Sequence, residues 1–241
     1  MRRAVSDYGM INDGDKIAVG VSGGKDSVTL LAGMQNLKRV INKDYTVVAI
    51  TLDPGFSGRQ ADYGEIQKLC DGLGVEYIIK RTQIGEIVFD IRKETNPCSL
   101  CARMRRGALH DAAKEAGCNK VALGHNYDDA VETFIMNLFN EGRVGCFSPV
   151  TYLSRKDITV IRPLIYAPEN EIRKAVKKEK LPIVESACPA NHATARQKTK
   201  DFLYSLEKEN KGIKNRIFGA MIRGGISGWG IEGEKSEVTE E

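Results

Sequence analysis

No run of about eighteen apolar residues occurs in the 241-residue chain, so the sequence offers no membrane-spanning helix. The basic start, Met1-Arg2-Arg3-Ala4-Val5, is not followed by the apolar core of a signal peptide, and a cytoplasmic protein with no membrane partner is expected. Charge of one sign is scarce too. The formal net charge is only +4, which is compatible with a nucleic-acid partner without arguing for one. Basic residues are gathered rather than numerous: Arg92, Lys93, Arg103, Arg105 and Arg106 crowd one segment, and Lys174, Lys177, Lys178 and Lys180 another. A solvated helix face is the ordinary meaning of such runs. Internal repeats are absent. The first glycine-rich turn has neither the spacing of a Walker A loop nor the Gly-x-Gly-x-x-Gly of a dinucleotide site. A second Cys-x-x-Cys and a close His pair are missing as well, so a four-ligand zinc site is not spelled out.

What is present centres on Ser22-Gly23-Gly24-Lys25-Asp26-Ser27. An apolar run from Lys16 to Val21 precedes it and a helix-like run over residues 27–37 follows it. Strand, glycine loop and helix in that order build a cradle for phosphate. Glycines let the backbone approach an anion, and the new helix offers unpaired N–H groups with a favourable dipole. Lys25 adds positive charge, and the Ser22 and Ser27 hydroxyls can donate to phosphate oxygens.

Along the chain, β-branched residues over 45–52 predict a second strand, closed by Asp53-Pro54-Gly55. A helix over 62–73 ending at Gly74, a strand over 75–79 and a short helix over 84–91 follow. Residues 120–124 read as a buried strand and 128–140 as a helix. A last short strand is expected at 159–161, then helices over 169–180, 194–207 and 214–222, and a fraying tail from Gly224. Strands alternating with helices predict an α/β fold with an open, mostly parallel, doubly wound sheet and a small helical C-terminal part. The expected division is a nucleotide-binding domain over 1–165 and a helical region over 166–241.

A second strand tip, Gly124-His125-Asn126-Tyr127-Asp128-Asp129, can face the first loop. Gly124 permits close approach, Asn126 or Asp128 can cap the helix, and Asp129 could help hold Mg²⁺ on ATP phosphates. Capping and dipole stabilisation alone would equally account for the two aspartates. Among six cysteines, Cys70, Cys118 and Cys146 sit in apolar or element-internal settings. Cys98-Ser99-Leu100-Cys101 instead opens a helix bearing Arg103, Arg105 and Arg106, and both features favour thiolate. Cys188, beside Pro189, is the best third partner. Spacing leaves zinc and an iron–sulfur cluster open.

Taken together, SGGKDS, CSLCARMRRGAL, GHNYDD with ETFIMNLF, Arg162-Pro163-Leu164, and Cys188 followed by Arg196-Gln197 resemble the tRNA 2-thiocytidine synthetases, over about residues 4–222. The resemblance implies a PP-loop fold and an ATP- and Mg²⁺-dependent enzyme that adenylates a pyrimidine carbonyl of tRNA, an anticodon-loop cytidine, and replaces its oxygen with sulfur. It implies a [4Fe–4S] cluster on Cys98, Cys101 and Cys188, with a cysteine desulfurase or other sulfide source and a homodimer. Ser22, Gly23, Gly24, Lys25, Asp26, Ser27, Leu52, Asp53, Gly124 and Asp129 are then the expected ATP contacts. Lys25, Asp26 and Asp129 are the expected catalytic groups, with Asp26 also a candidate Mg²⁺ ligand. Arg103, Arg105 and Arg106 are the expected RNA contacts. The alternatives are the same chemistry on a tRNA uridine or a small molecule, and a metal-stapled nucleotide-binding module without thiolation.

Overall fold

Alternation along the first two strands dictates a sheet covered on both faces. In β1 (Asp15–Gly20) Ile17 and Val19 join one buried cluster while Ala18 joins another. In β2 (Tyr45–Asp53) Val47 and Ala49 divide from Val48 and Ile50 in the same way. Residues two apart share a face, and a strand buried on both sides reads as a continuous apolar run.

The structure is a computed structural model, and it describes residues 1–56, 61–92, 97–184, 188 and 195–231. A short α1 (Arg2–Asp7) precedes β1. Then come α2 (Lys25–Leu37), β2, α3 (Gly64–Leu73), β3 (Glu76–Arg81), a π-helical turn at Glu86–Ile91 and α4 (Pro97–Glu115). They are followed by β4 (Lys120–Ala122), α5 (Tyr127–Glu141), β5 (Val150–Leu153), β6 (Ile158–Ile161), α6 (Glu169–Lys178), α7 (Ala195–Glu209) and α8 (Ile213–Arg223). The six strands lie in the order β3-β2-β1-β4-β6-β5, all parallel except β5, which runs antiparallel to β6. The mostly parallel α/β sheet is therefore as expected. The hairpin partner β5 and the helix α1 were not anticipated: Val150–Leu153 is a four-residue edge strand whose residues stay partly exposed, so its apolar signal is weak.

Helix α4 covers one face through Leu109, Ala112 and Ala113. The other face holds α2 (Leu30, Leu31, Met34), α5 (Ala130, Val131) and, within the same cluster, Ile172, Leu203, Phe218 and Met221 from α6, α7 and α8. The tail does not fray from Gly224. Trp229 is fully buried, donates from Nε1 to the Phe147 carbonyl at 3.0 Å and meets the Phe218 ring edge-on. An indole that finds both apolar cover and an acceptor is worth more than the entropy of a few free residues. Residues 232–241 lie outside the described chain.

At the amino end of the strands, Lys120 and Asp15 form a buried ion pair at 2.7 Å. Lys120 also donates to the Met10 carbonyl, and Asp15 accepts from the Asn119 side chain and the Asn12 amide. The chain runs β1 to β3 in one direction and restarts at β4 on the other side of β1. The carboxyl ends of β1 and β4 are thus the switch point at which open α/β sheets form a ligand crevice.

Candidate functional site

Both glycine-bearing strand tips meet at that switch point. The loop after β1 turns through Gly23, whose φ of +84° suits glycine, and a Cβ there would lie 2.8 Å from the Val184 Cβ. Gly24 is the N-cap of α2, and no side chain caps the amides of its first turn. Ser22 and Ser27 brace the loop: the Ser22 amide and hydroxyl donate to the Ser27 oxygen at 3.1 and 3.2 Å, and the Ser27 hydroxyl donates to the Gly24 carbonyl at 2.8 Å. Lys25 Nζ donates to Asp26 at 2.8 Å and stands 3.1 Å from Glu169.

From β4, Gly124 presses on the same turn. A Cβ at Gly124 would come within 3.1–3.2 Å of the Asp26 carbonyl group and the Ser27 amide nitrogen, closer than ordinary packing allows. Asn126 then does two things. Its Oδ1 caps α5 by accepting from the Asp129 amide, while its Nδ2 donates to Asp26 at 3.0 Å. Asp129 answers by accepting from the Asn126 amide, which completes a capping box, and it pairs with Arg196 at 3.1 Å. Burial raises the Asp129 pKa and nearby Asp26 adds to this, against the pull of the Asn126 amide, Arg196 and Lys25. Asp129 is therefore both a capping residue and a carboxylate of the crevice. Asp128 accepts from the Glu169 amide at 2.7 Å and from Lys214 at 2.8 Å.

The crevice is lined by Lys25, Asn126, Asp128, Asp129, Glu132, Glu169, Arg196, Gln197 and Lys200. Two of its acids, Glu132 and Glu169, and all of its cations but Lys25 come from beyond the first turn of α5. Burial pushes the Glu132 carboxyl up to about 7; Lys200 and Arg196 oppose this, while Asp129 and Asp128 add to it. His125 packs on Phe147 with ring centroids 4.8 Å apart. Burial, reinforced by Arg162, Arg196 and Arg106, holds His125 down at about 3, so its ring is neutral at pH 7 and its buried Nδ1 has no partner among the described residues. Asp53 ends β2 and is buried. Its Oδ1 accepts from the Gly55 amide at 3.0 Å, and its Oδ2 is buried without a hydrogen bond among the described residues. Leu52 precedes it, half-buried on the opposite cluster.

Three of the cysteines interact around the start of α4. Cys98 is exposed at the start of α4; Cys101, one turn on, is buried with Phe56, Ile84 and Val88, and Cys188 packs against the same cluster. Burial raises the Cys101 pKa; Arg105 opposes through charge and a hydrogen bond, and the Cys188 and Cys98 thiols add to the rise. The expected thiolate preference is therefore outweighed at Cys101 by desolvation. None of the six cysteines is in a disulfide, and among the described residues no three His, Cys, Asp or Glu side chains stand in metal-holding geometry. Arg106 acts electrostatically on His125 and Arg162, Arg105 on Cys101, and Arg103 is exposed on the same helix.

Comparison with known proteins decides the family. Residues 2–204 match the PP-loop domain family. The chain is 39% identical, over 91% of its length and 86% of the relative's, to the tRNA-cytidine(32) 2-sulfurtransferase of Geobacter sulfurreducens. It is 41% identical to the enzyme of that name from Geotalea daltonii, over 91% and 87% of the two chains. The chain belongs to the tRNA-cytidine 2-sulfurtransferase family of PP-loop proteins. Among solved structures it is similar to the U34-tRNA thiolase NcsA from Methanococcus maripaludis with its [4Fe–4S] cluster: TM-score 0.75, 27% identity, 92% of this chain and 76% of that one.

Against this family background, Glu132, Glu169 and Lys200 are the residues that sequence reading missed. Glu169 opens a helix whose lysines read as a solvated face, and Glu132 and Lys200 lie on helices read without any site assignment at those positions. Only the spacing of Asp129 and Glu132, three residues apart on α5, carried a signal that both look into one crevice.

Proposed function

We propose that the chain is an ATP-dependent tRNA thiolase that acts on cytidine. The observation that supports this reading is the 39% identity to a tRNA-cytidine(32) 2-sulfurtransferase, in a chain that carries both a braced phosphate loop and the set Cys98, Cys101 and Cys188. A carbonyl oxygen of the base attacks the α-phosphate of ATP, pyrophosphate leaves, and sulfide then displaces AMP. The amides of the first turn of α2 and Lys25 stabilise the departing pyrophosphate. Asp26 and Asp129, close enough that Asp26 raises the proton affinity of Asp129, suit a Mg²⁺ that travels with the phosphates. Ser22, Gly23, Gly24, Ser27 and Gly124 would shape the cradle and Leu52 and Asp53 would bound it at β2, where Asp53 Oδ2, without a hydrogen bond among the described residues, suits a donor on the nucleotide.

Cys98, Cys101 and Cys188 fit a [4Fe–4S] cluster in the chemistry of their donors. Cys101 interacts with both of the other thiols, Cys101 and Cys188 share an apolar cluster, and together the three offer one ligand fewer than the irons. Such a cluster would supply an iron site for the incoming sulfide, whose source is a cysteine desulfurase or another donor. Arg103, Arg105 and Arg106, on the helix that carries Cys98 and Cys101, would contact tRNA phosphates. A homodimer is part of this reading. Among the described residues no helix is long and apolar enough to cross a membrane. The likeness to a U34-tRNA thiolase keeps uridine as the second reading.

Nucleoside analysis of tRNA separates the two. In cells lacking the gene, 2-thiocytidine should disappear and return with the wild-type chain. Loss of a 2-thiouridine instead would move the assignment to uridine. With Cys188→Ala, cluster iron and thiolation should be lost while ATP binding stays within about twofold; a thiolating variant would refute the three-cysteine site.

A further inference from the structure

Glu169 has no part in the chemistry above, yet it holds the cation of the phosphate loop. It opens α6 after Pro168, and its amide is fixed over the crevice by Asp128. Its side chain is 15% exposed. Oε1 accepts from Arg173 at 2.8 Å and stands 3.1 Å from Lys25 Nζ, and Oε2 accepts from Lys200 at 2.6 Å. One carboxylate thus ties the loop after β1 to α6 and to α7. Burial alone would raise its pKa, but Lys200, Lys25 and Arg173 outweigh burial and hold it down at about 2.

Carboxylate and phosphate oxygens are alternative acceptors for the same ammonium group. Lys25 already meets two carboxylates, those of Asp26 and Glu169. We infer that Glu169 is a positioning residue that competes with the polyphosphate for Lys25, so that binding exchanges one anion for another and passes the event to α7 through Lys200. This inference rests on the reading of the crevice as an ATP site. A purely structural acid would need only Arg173 and Lys200 to pin α6 to α7; the contact with the loop cation is what gives Glu169 a stake in ligand binding. Replacing it with a neutral amide removes one of the crevice's carboxylates and leaves Asp26 as the carboxylate paired with Lys25, a more positive site for an anion.

Titration calorimetry of the full chain with inorganic pyrophosphate and with Mg·ATP tests this. Glu169→Gln should bind pyrophosphate roughly three- to tenfold more tightly than wild type. Loss of a merely structural contact would not tighten a ligand, so unchanged or weaker binding overturns the inference. If that variant does not fold, Arg173→Met decides. It removes an exposed competitor from Oε1, should leave Lys25 more firmly held, and should weaken pyrophosphate binding about threefold; unchanged binding again overturns it. A wild-type chain that binds neither ligand would instead sink the ATP-site reading beneath it.

Discussion

Glu132 shows how one buried group ties stability to pH. Its carboxyl is 4% exposed and pushed up to about 7, against an ordinary value of 4.5. The folded chain therefore holds a proton that the unfolded chain has lost across that interval. The stability this contributes is complete below about pH 4.5 and is lost as pH rises through about 7. Glu132→Gln carries the neutral form permanently. Its melting temperature should match wild type near pH 4.5 and exceed it increasingly up to pH 8; a constant difference would mean that Glu132 ionises normally. Cys146 is the contrasting residue. Burial pushes its thiol up to about 12, so proximity to the crevice does not make it a nucleophile.

At the level of elements, the start of α5 does more than start a helix. Asn126→Ala removes the cap and the donor to Asp26 together. The cap alone should cost about 1 kcal/mol in chemical denaturation. The lost tether should also weaken ATP binding, whereas Asn126→Asp, which keeps the cap but not the donor, should retain most of the stability and still weaken ATP. Unchanged ATP binding in Asn126→Asp would show that Nδ2 is not the tether. Much of this junction was legible beforehand. The two glycine-bearing strand tips and the strands that carry them stand out because fully buried strands are continuous apolar runs and their ends are glycine. Legibility ended where meaning depended on distant partners: Asn126 and Asp128 were equal candidates for the cap until the backbone placed Asn126 first. The pairing of Asp128 with Lys214 joins residues 86 apart. The edge strand β5 was missed for want of an apolar face, and Lys120 and Asp15 read as strand ends rather than as a buried pair.

For the molecule as a whole, the C-terminal helices are not an ornament on the sheet, since Leu203, Phe218, Met221 and Trp229 belong to the same buried cluster as Val19 and Leu31. Trp229→Ala should therefore cost about 3–5 kcal/mol, measured by circular dichroism in urea, despite its position twelve residues before Glu241. A loss under 1 kcal/mol would show that the segment docks without contributing to the fold.

The strand order also decides which flanks of the sheet meet water. On one flank β3 presents Glu76, Lys80 and Arg81, with Lys80 paired to Glu115 of α4. On the other, β5 is four residues long and reversed in direction. A second chain seeking to extend the sheet would meet charge at one border and, at the other, a short strand of the wrong polarity for further parallel growth. The reversal that the sequence barely announces thus acts as a terminator against templated aggregation. It leaves helices and loops, rather than backbone edges, as the surfaces through which this chain can meet another macromolecule.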